Sequence, residues 1–438
     1  MRENMLQYMR NRRFRLIKRK EHKKMTAFST ADILLPRLSA EGMEKWSVVA
    51  CDQYTSEPDY WQRVEQTVGA APSALRLILP EVWLESGGRE ERIAAINAEM
   101  RRYLDEGLFT EHKDCFILTE RTQADGRVRM GLVGAIDLEE YDYRKGSTSQ
   151  VRATEATVAS RIPPRVEIRR DAPLELPHIM ILIDDPEKTV IEPLEAGFGA
   201  MDKLYDFELM CGGGHLRGAL LDGENAARVT AALDALYDKA RQGSPDGGVL
   251  LYAMGDGNHS LATAKECYEQ KKREGSPDAV LARYALVEVV NLHSPALEFE
   301  AIHRVVTQTS AADLMEKMTE ALGLVRAEAA QSFTVVCGDK EERFGITRPR
   351  SNITVGSLQS FLDEYLAENA GKIDYIHGED VVKTLCRAQD SIGFLLPAMR
   401  KDELFPTVVS DGALPRKTFS MGHAHDKRFY CELRRIKA

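Results

Sequence analysis

The run Gly255-Asp256-Gly257-Asn258-His259-Ser260 joins an apolar stretch ending at Met254 to an amphipathic stretch beginning near Ser260. A strand, a glycine turn and a helix start in that order present free backbone N–H groups and the positive end of a helix dipole to an anion. Gly257 permits close backbone approach, Asn258, His259 and Ser260 bring hydrogen-bonding groups, and Asp256 can hold a metal ion or take a proton. The spacing is not the GxxxxGK[ST] of a P-loop. Turn-forming glycines and Ser260 as a helix cap account for part of the pattern without any ligand.

Other residues offer matching chemistry. Arg152-Ala153-Thr154-Glu155, followed by Arg161, Arg165 and Arg169, sets several guanidinium groups near one carboxylate. That suits forked recognition of phosphate or carboxylate, and equally a surface ion-pair network. Asp52 follows the apolar run that ends at Cys51, and with Glu155 it is the alternative general base to Asp256. Arg416 and Lys417 add two cations in a polar loop. His215, after three glycines, and the pair His303-Arg304 are further pocket candidates, although strand alternation sends the latter two to opposite faces.

The elements that must position these residues read as a mixed α/β protein. Trp46–Cys51, His178–Ile183 and Val249–Met254 read as buried strands, and Arg428–Leu433 as a final one. Cys115–Thr119 and Val128–Ala135, joined by Ala124-Asp125-Gly126, predict a hairpin, as do Phe333–Cys337 and Phe344–Thr347. Helices are expected over 59–68, 91–105, 225–241, 260–274, 311–323 and 357–369. The division expected is a main body over 25–310 and a smaller C-terminal α/β part over 311–438 that shares its core.

Composition narrows the class. The 438 residues are 43% hydrophobic and 29% charged, which excludes a fibrous or disordered chain, and no apolar run is long enough to span a membrane. Seven scattered cysteines without a CxxC pair fit a reducing cytoplasm and offer no structural zinc site. Residues 1–24 carry ten Lys/Arg against two Glu; the whole chain is at −9, which leaves −17 on the rest. That arm reads as upstream sequence before a start at Met25, or as a disordered basic extension. An acidic body disfavours nucleic acid as a partner, and a small molecule is the expected ligand. The absence of HExxH, GxSxG, Rossmann GxGxxG and kinase HRD sets disfavours those enzyme classes.

Taken in order, the blocks Cys51–Ser56, Arg152–Glu155, Gly255–Ser260, Ile302–Val305 and Leu414–Thr418 resemble those of the large prokaryotic family known as domain of unknown function 1015, over about residues 28–435. Most members of that family carry Asp-Gly-His-His-Arg where this chain has Asp256-Gly257-Asn258-His259-Ser260, so Ser260 replaces the arginine. The box is in turn similar to the phosphate-binding box of ParB/sulfiredoxin-like proteins, a superfamily that includes nucleotide-dependent free-serine kinases. The resemblance implies a ParB/sulfiredoxin-like mixed-sheet core with large insertions. It also implies ATP or ADP with Mg²⁺ as cofactors, and transfer of a phosphoryl group to a small hydroxyl-bearing metabolite. Gly257, Asn258, Ser260, Arg152, Arg165, Arg416 and Lys417 would then contact phosphate, and Asp256, His259, Glu155 and Asp52 would be the catalytic set, with Asp256 on the metal. The alternative is a sensor that binds the same ligand without chemistry.

Overall fold

Apolar runs bounded by turn residues become the central strands of a large mixed sheet. The computed structural model describes residues 26–84, 86–244 and 248–437; the basic arm and Met25 lie outside them. Across the large sheet the strands run Tyr141–Asp142, Val151–Arg152, Tyr252–Asp256, Met180–Ile183, Tyr284–Asn291, Val128–Asp137, Phe109–Thr122, Gly214–Leu221 and Lys203–Leu209. The first three pair in parallel, Met180–Ile183 pairs in parallel with Tyr284–Asn291, and the other neighbours are antiparallel. A smaller antiparallel sheet contains Lys340–Ile346, Gln331–Cys337, Ser391–Leu395, Phe299–Thr307 and Lys372–His377, with Phe419–Met421 added to the first half of Phe299–Thr307.

Met180–Ile183 shows why its sequence is apolar without alternation. Met180 and Leu182 enter a core shared with Leu314, Phe394 and Met421 of the small-sheet region, while Ile181 and Ile183 enter the opposite core with Leu233 and Tyr268. A strand covered on both faces has no polar face to display.

Both expected hairpins are present, the first turning at Gly126 with φ 84°. The expected helices occur as Pro58–Val68, Arg89–Asp105, Gly223–Gln242, Asn258–Arg273, Ala311–Leu322 and Thr354–Glu368. Two expected strands are corrected. Trp46 closes the helix Ala40–Trp46, and residues 47–51 and 428–433 run outside any strand, joined to each other through the isolated bridge Val49↔Phe429, while Leu433 bridges to Leu34 of the strand Ala31–Pro36. Both segments are largely buried, and the second carries the paired Arg428 and Glu432 among apolar residues, but each lacks the ladder of neighbours that makes a sheet.

The segment after the small sheet, here called the tail, returns to the main body. Ala50 N–H donates to Arg428 O at 2.9 Å and Tyr430 N–H to Val48 O at 2.8 Å, while the Trp46 indole N–H donates to Cys431 O at 3.1 Å. Arg434–Arg435 then pairs with Leu174–Glu175. This pairing sets the tail residues just before Arg428 beside the loop that starts at Cys51.

Candidate functional site

Strand direction gathers the site. Val151–Arg152 and Tyr252–Asp256 are parallel, so the segments that leave them, 153–158 and 257–260, emerge at one edge of the sheet. Met180–Ile183 runs the other way beside Tyr252–Asp256, with Asp256 opposite Met180, which brings His178 to that same edge. Loops at strand ends with unlike neighbours are where open α/β sheets leave room for ligands.

Gly257 takes φ 80° and caps the helix Asn258–Arg273, with no side chain capping its first turn. A side chain at 257 would bring its Cβ within 3.1 Å of Ile179 Cα, so the turn requires glycine. Ser260 lies within the first helical turn and is not the cap. Asp256 Oδ1 accepts the Gly257 N–H at 3.0 Å, and its Oδ2 is 3.3 Å from Lys427 Nζ of the tail. His259 Nε2 accepts the Val158 N–H at 3.4 Å. Burial, then the charges of Arg165 and Arg161, push the His259 imidazole down to about 4, so at neutral pH it is uncharged.

Asp52 stands on the neighbouring loop. Its Oδ1 accepts from Gln53 Nε2 at 3.0 Å, and its Oδ2 is 3.8 Å from His178 Nε2. Burial works to raise this carboxyl, but His178, Gln53 and Lys427 together hold it below the usual aspartate value. Behind it, Tyr430 Oη lies 2.8 Å from His178 Nδ1 and accepts the Cys51 N–H at 3.2 Å. Burial and the Asp52 charge push the Cys51 thiol far up, so it is no nucleophile. Arg165 is held by Glu81, with Nε to Oε1 at 2.9 Å, and Glu81 N–H donates to Cys51 O at 2.8 Å.

A second group surrounds Glu155, whose Oε1 accepts the Lys417 N–H at 3.2 Å. Burial raises its carboxyl against the lowering effect of Lys417. The Thr154 hydroxyl donates to Met254 O at 2.8 Å, which ties this segment to the strand carrying Asp256. Arg304 and Arg416 both lie over the Tyr375 ring, at 4.8 and 5.8 Å.

The structure therefore brings Asp52, Asp256, His259 and Arg165 together, with Glu155 and Lys417 on the adjoining segment. Four sequence candidates stand apart from them. Arg152 is buried and donates to Ser149 O and Gly248 O, so it braces a loop and does not clamp a ligand. His215 pairs with Asp206 across a hairpin at the far end of the large sheet. His303 accepts the Leu396 N–H through Nδ1, and the fully buried Arg304 is spent on Gln359, Ile302 O and Arg416 O. His178, Lys427, Tyr430 and Glu81 complete the neighbourhood and were not among the candidates. The one local signal was a histidine placed directly before the buried apolar run Ile179–Ile183.

Among the described residues no group of three His, Cys, Asp or Glu is gathered to hold a metal ion. Asp52 and Asp256 offer two carboxylates, a donor set that suits Mg²⁺ only when ligand phosphates and water supply the remaining oxygens. No helix among the described residues is long and apolar enough to cross a membrane.

Fold and site together define a mixed α/β protein with a polar, carboxylate-bearing edge between two sheets. The chain belongs to the family described as protein of unknown function DUF1015, whose profile matches residues 36–365. Lys427 and Tyr430 lie beyond that matched range. Among curated proteins, none matches the chain. Solved structures give distant likenesses. SbnI with a C-terminal truncation, from Staphylococcus aureus, has TM-score 0.35 and 10% identity over 66% of this chain and 82% of that one. A variant of a free serine kinase in complex with ADP has TM-score 0.36 and 13% identity over 70% and 92%. A conserved hypothetical protein from Pyrococcus furiosus has TM-score 0.33 and 11% identity over 69% and 94%.

Proposed function

We propose that this protein binds a nucleotide through its phosphates at the first turn of Asn258–Arg273 and transfers a phosphoryl group to a small hydroxyl-bearing metabolite. The reading includes a ParB/sulfiredoxin-like core and a cytoplasmic setting, in which the seven unpaired cysteines stay reduced. The observation that carries it is the placement of one ionised carboxylate, Asp52, in the same charged neighbourhood as an uncapped helix start, with Lys427 acting on both Asp52 and Asp256. Phosphoryl transfer needs mostly positioning and charge neutralisation, which these parts supply.

In this reading the acceptor hydroxyl gives its proton to Asp52. The acceptor oxygen then bonds to the transferred phosphorus, while the bond from phosphorus to the leaving nucleotide oxygen breaks and that oxygen keeps the electron pair. Lys427 and the backbone N–H groups at 258–260 face the phosphate charge. Asp256 and Asp52 are the residues that would hold Mg²⁺, which when bound neutralises phosphate oxygens. His259, uncharged and half-buried, shapes the wall beside them.

The test is thermal unfolding of the full chain with ATP or ADP, with and without Mg²⁺, and then with L-serine and other small hydroxy compounds. A ligand at 100 times its dissociation constant adds about 2.7 kcal/mol of stability. A nucleotide-dependent shift that Asp256→Asn abolishes supports the site, and consumption of nucleotide with one acceptor supports transfer. A second reading, a ligand sensor without chemistry, is favoured by the neutralisation of Asp256 by Lys427. It predicts the same shift with no nucleotide consumed.

A further inference from the structure

Of the four arginines that the sequence sets around Glu155, three are already committed. Arg152 donates to Ser149 O and Gly248 O, Arg165 pairs with Glu81, and Arg169 pairs with Glu175. Arg161 is the exception, because it is exposed and its side chain has neither an ion pair nor a hydrogen bond among the described residues. The stretch that carries it, 156–161, is a strap held at both ends. Before it, the Thr154 hydroxyl donates to Met254 O at 2.8 Å and Leu414 N–H to Thr154 O at 2.7 Å. After it, Ile162 and Val166 of the helix Ile162–Arg170 are buried with Ala262 and Cys267 of Asn258–Arg273. Between these anchors Ala156 and residues 158–161 are exposed.

The strap crosses the first turn of Asn258–Arg273. Val158 N–H donates to His259 Nε2 at 3.4 Å, and a tight turn closed by Arg161 N–H on Val158 O, at 3.0 Å, sets Arg161 beside that contact. Arg165 Nη1 donates to Arg161 O at 2.6 Å and steadies the turn from behind. The His259 ring lies within reach of the charges of both Arg161 and Asp52. Strap and helix each hold a buried side-chain oxygen without a hydrogen-bond partner among the described residues, Thr157 Oγ1 on the first and Asn258 Oδ1 on the second. Folded proteins seldom leave such atoms unmet, and a polar ligand drawn with its water between the two segments would meet them.

Charge balance shows what a phosphate would lack at this turn without Arg161. The carboxylates of Asp52 and Asp256 stand there with one lysine, Lys427, acting on both. Arg165 is cancelled by Glu81, and His259 is uncharged at neutral pH. Arg161 brings an uncommitted cation, and its planar fork matches phosphate oxygens. We propose that Arg161 is a phosphate-binding residue, carried by the strap 156–161 over the first turn of Asn258–Arg273, where its guanidinium takes up the charge of the nucleotide's phosphates. This role deepens the nucleotide reading and rests on it for the identity of the ligand, whereas an anion site under the strap stands on the geometry alone.

The experiment is calorimetric titration of the full chain with ATP, ADP, adenosine and inorganic tripolyphosphate, in the parent and in three variants. Arg161→Ala is expected to weaken binding of ATP, ADP and tripolyphosphate by roughly 10- to 100-fold, the range of a charge-assisted contact, and to leave adenosine unaffected. Arg161→Lys keeps the charge without the fork and is expected to recover part of the loss. Arg170→Ala is the control: Arg170 is also exposed and unpaired among the described residues, but it stands at the other end of Ile162–Arg170, with its charge acting on Cys267. That change removes the same charge and is expected to leave all four affinities in place. Equal ATP affinity in the parent and Arg161→Ala overturns the proposal. So does an equal loss in Arg170→Ala, the mark of a general field, or a loss that extends to adenosine, the mark of a structural role. The nucleotide reading is decided separately. Tripolyphosphate binding that depends on Arg161, with no binding of ATP or ADP, keeps the anion site and ends the nucleotide reading, and a parent that binds none of the three phosphates ends both.

Discussion

Lys427 and Arg428 are neighbours in the chain, and they enter two different electrostatic worlds. Lys427 reaches Asp256 at a partly open edge, with side chains 15% and 21% exposed. Arg428, 5% exposed, is saturated: it bonds to Glu288 at 2.5 Å, to Glu432 and to Pro177 O. Around it, the Thr119 hydroxyl donates to Glu288 and the Tyr205 hydroxyl to Glu432, while Arg121 and Arg129 hold backbone carbonyls of the tail loop at His425 and Asp426. The same residue types thus make a buried, densely paired network on one side, in which Nε of Arg121 and of Arg129 are left over, and a partly open cluster on the other. Charge alone does not mark a functional site; unspent hydrogen-bonding capacity beside solvent does.

The contrast is broken or sharpened most strongly at Arg428. Arg428→Met leaves Glu288 and Glu432 buried without their cation, and the unfolding free energy from urea titration is expected to fall by about 3–5 kcal/mol. A loss near zero would make the buried network no different from the open edge. Next is Asp256→Asn, which removes a carboxylate that would hold Mg²⁺ and should weaken nucleotide binding in the presence of Mg²⁺ by roughly 10- to 100-fold. Calorimetric titration reads the affinity, and urea titration should show less than about 1 kcal/mol of lost stability, because the ion pair with Lys427 is partly exposed.

His259 gives the third test. Its folded value of about 4 lies below the ordinary 6.5, so the unfolded chain takes up a proton before the folded one does. The stability it contributes is present above pH 6.5 and is lost as pH falls toward 4, by about 2 kcal/mol once its partial solvent access is discounted. His259→Asn should flatten that slope in pH-dependent melting. At the bottom of the scale is Arg102, an exposed partner of Glu99 and Glu106, whose change to Ala should leave the thermal midpoint unmoved.

What was legible in the sequence was local. The strand, glycine turn and helix start around Asp256 lie within a dozen residues, and each follows from neighbours in the chain. So do the hairpins and the amphipathic helices. The partners of that turn were not legible, because Asp52, His178 and Lys427 arrive from three distant places, and only sheet order and the return of the tail bring them together. Arg152 looked like a phosphate clamp because a sequence does not show whether a guanidinium is already committed to carbonyl groups. Trp46–Cys51 and Arg428–Leu433 looked like strands because burial and β-branched or aromatic content are what strand patterns detect, and pairing partners leave no local trace.

The return of the tail also bears on how the protein is made. Val49 pairs with Phe429, and Trp46 with Cys431, across almost the whole length of the chain. During synthesis the N-terminal body emerges from the ribosome hundreds of residues before the segment that seals it, and contacts of such long sequence separation form slowly. The loop bearing Asp52 therefore acquires Lys427 and Tyr430 only after about 370 further residues have been made, and a chain that stops before the tail lacks the cation beside Asp256.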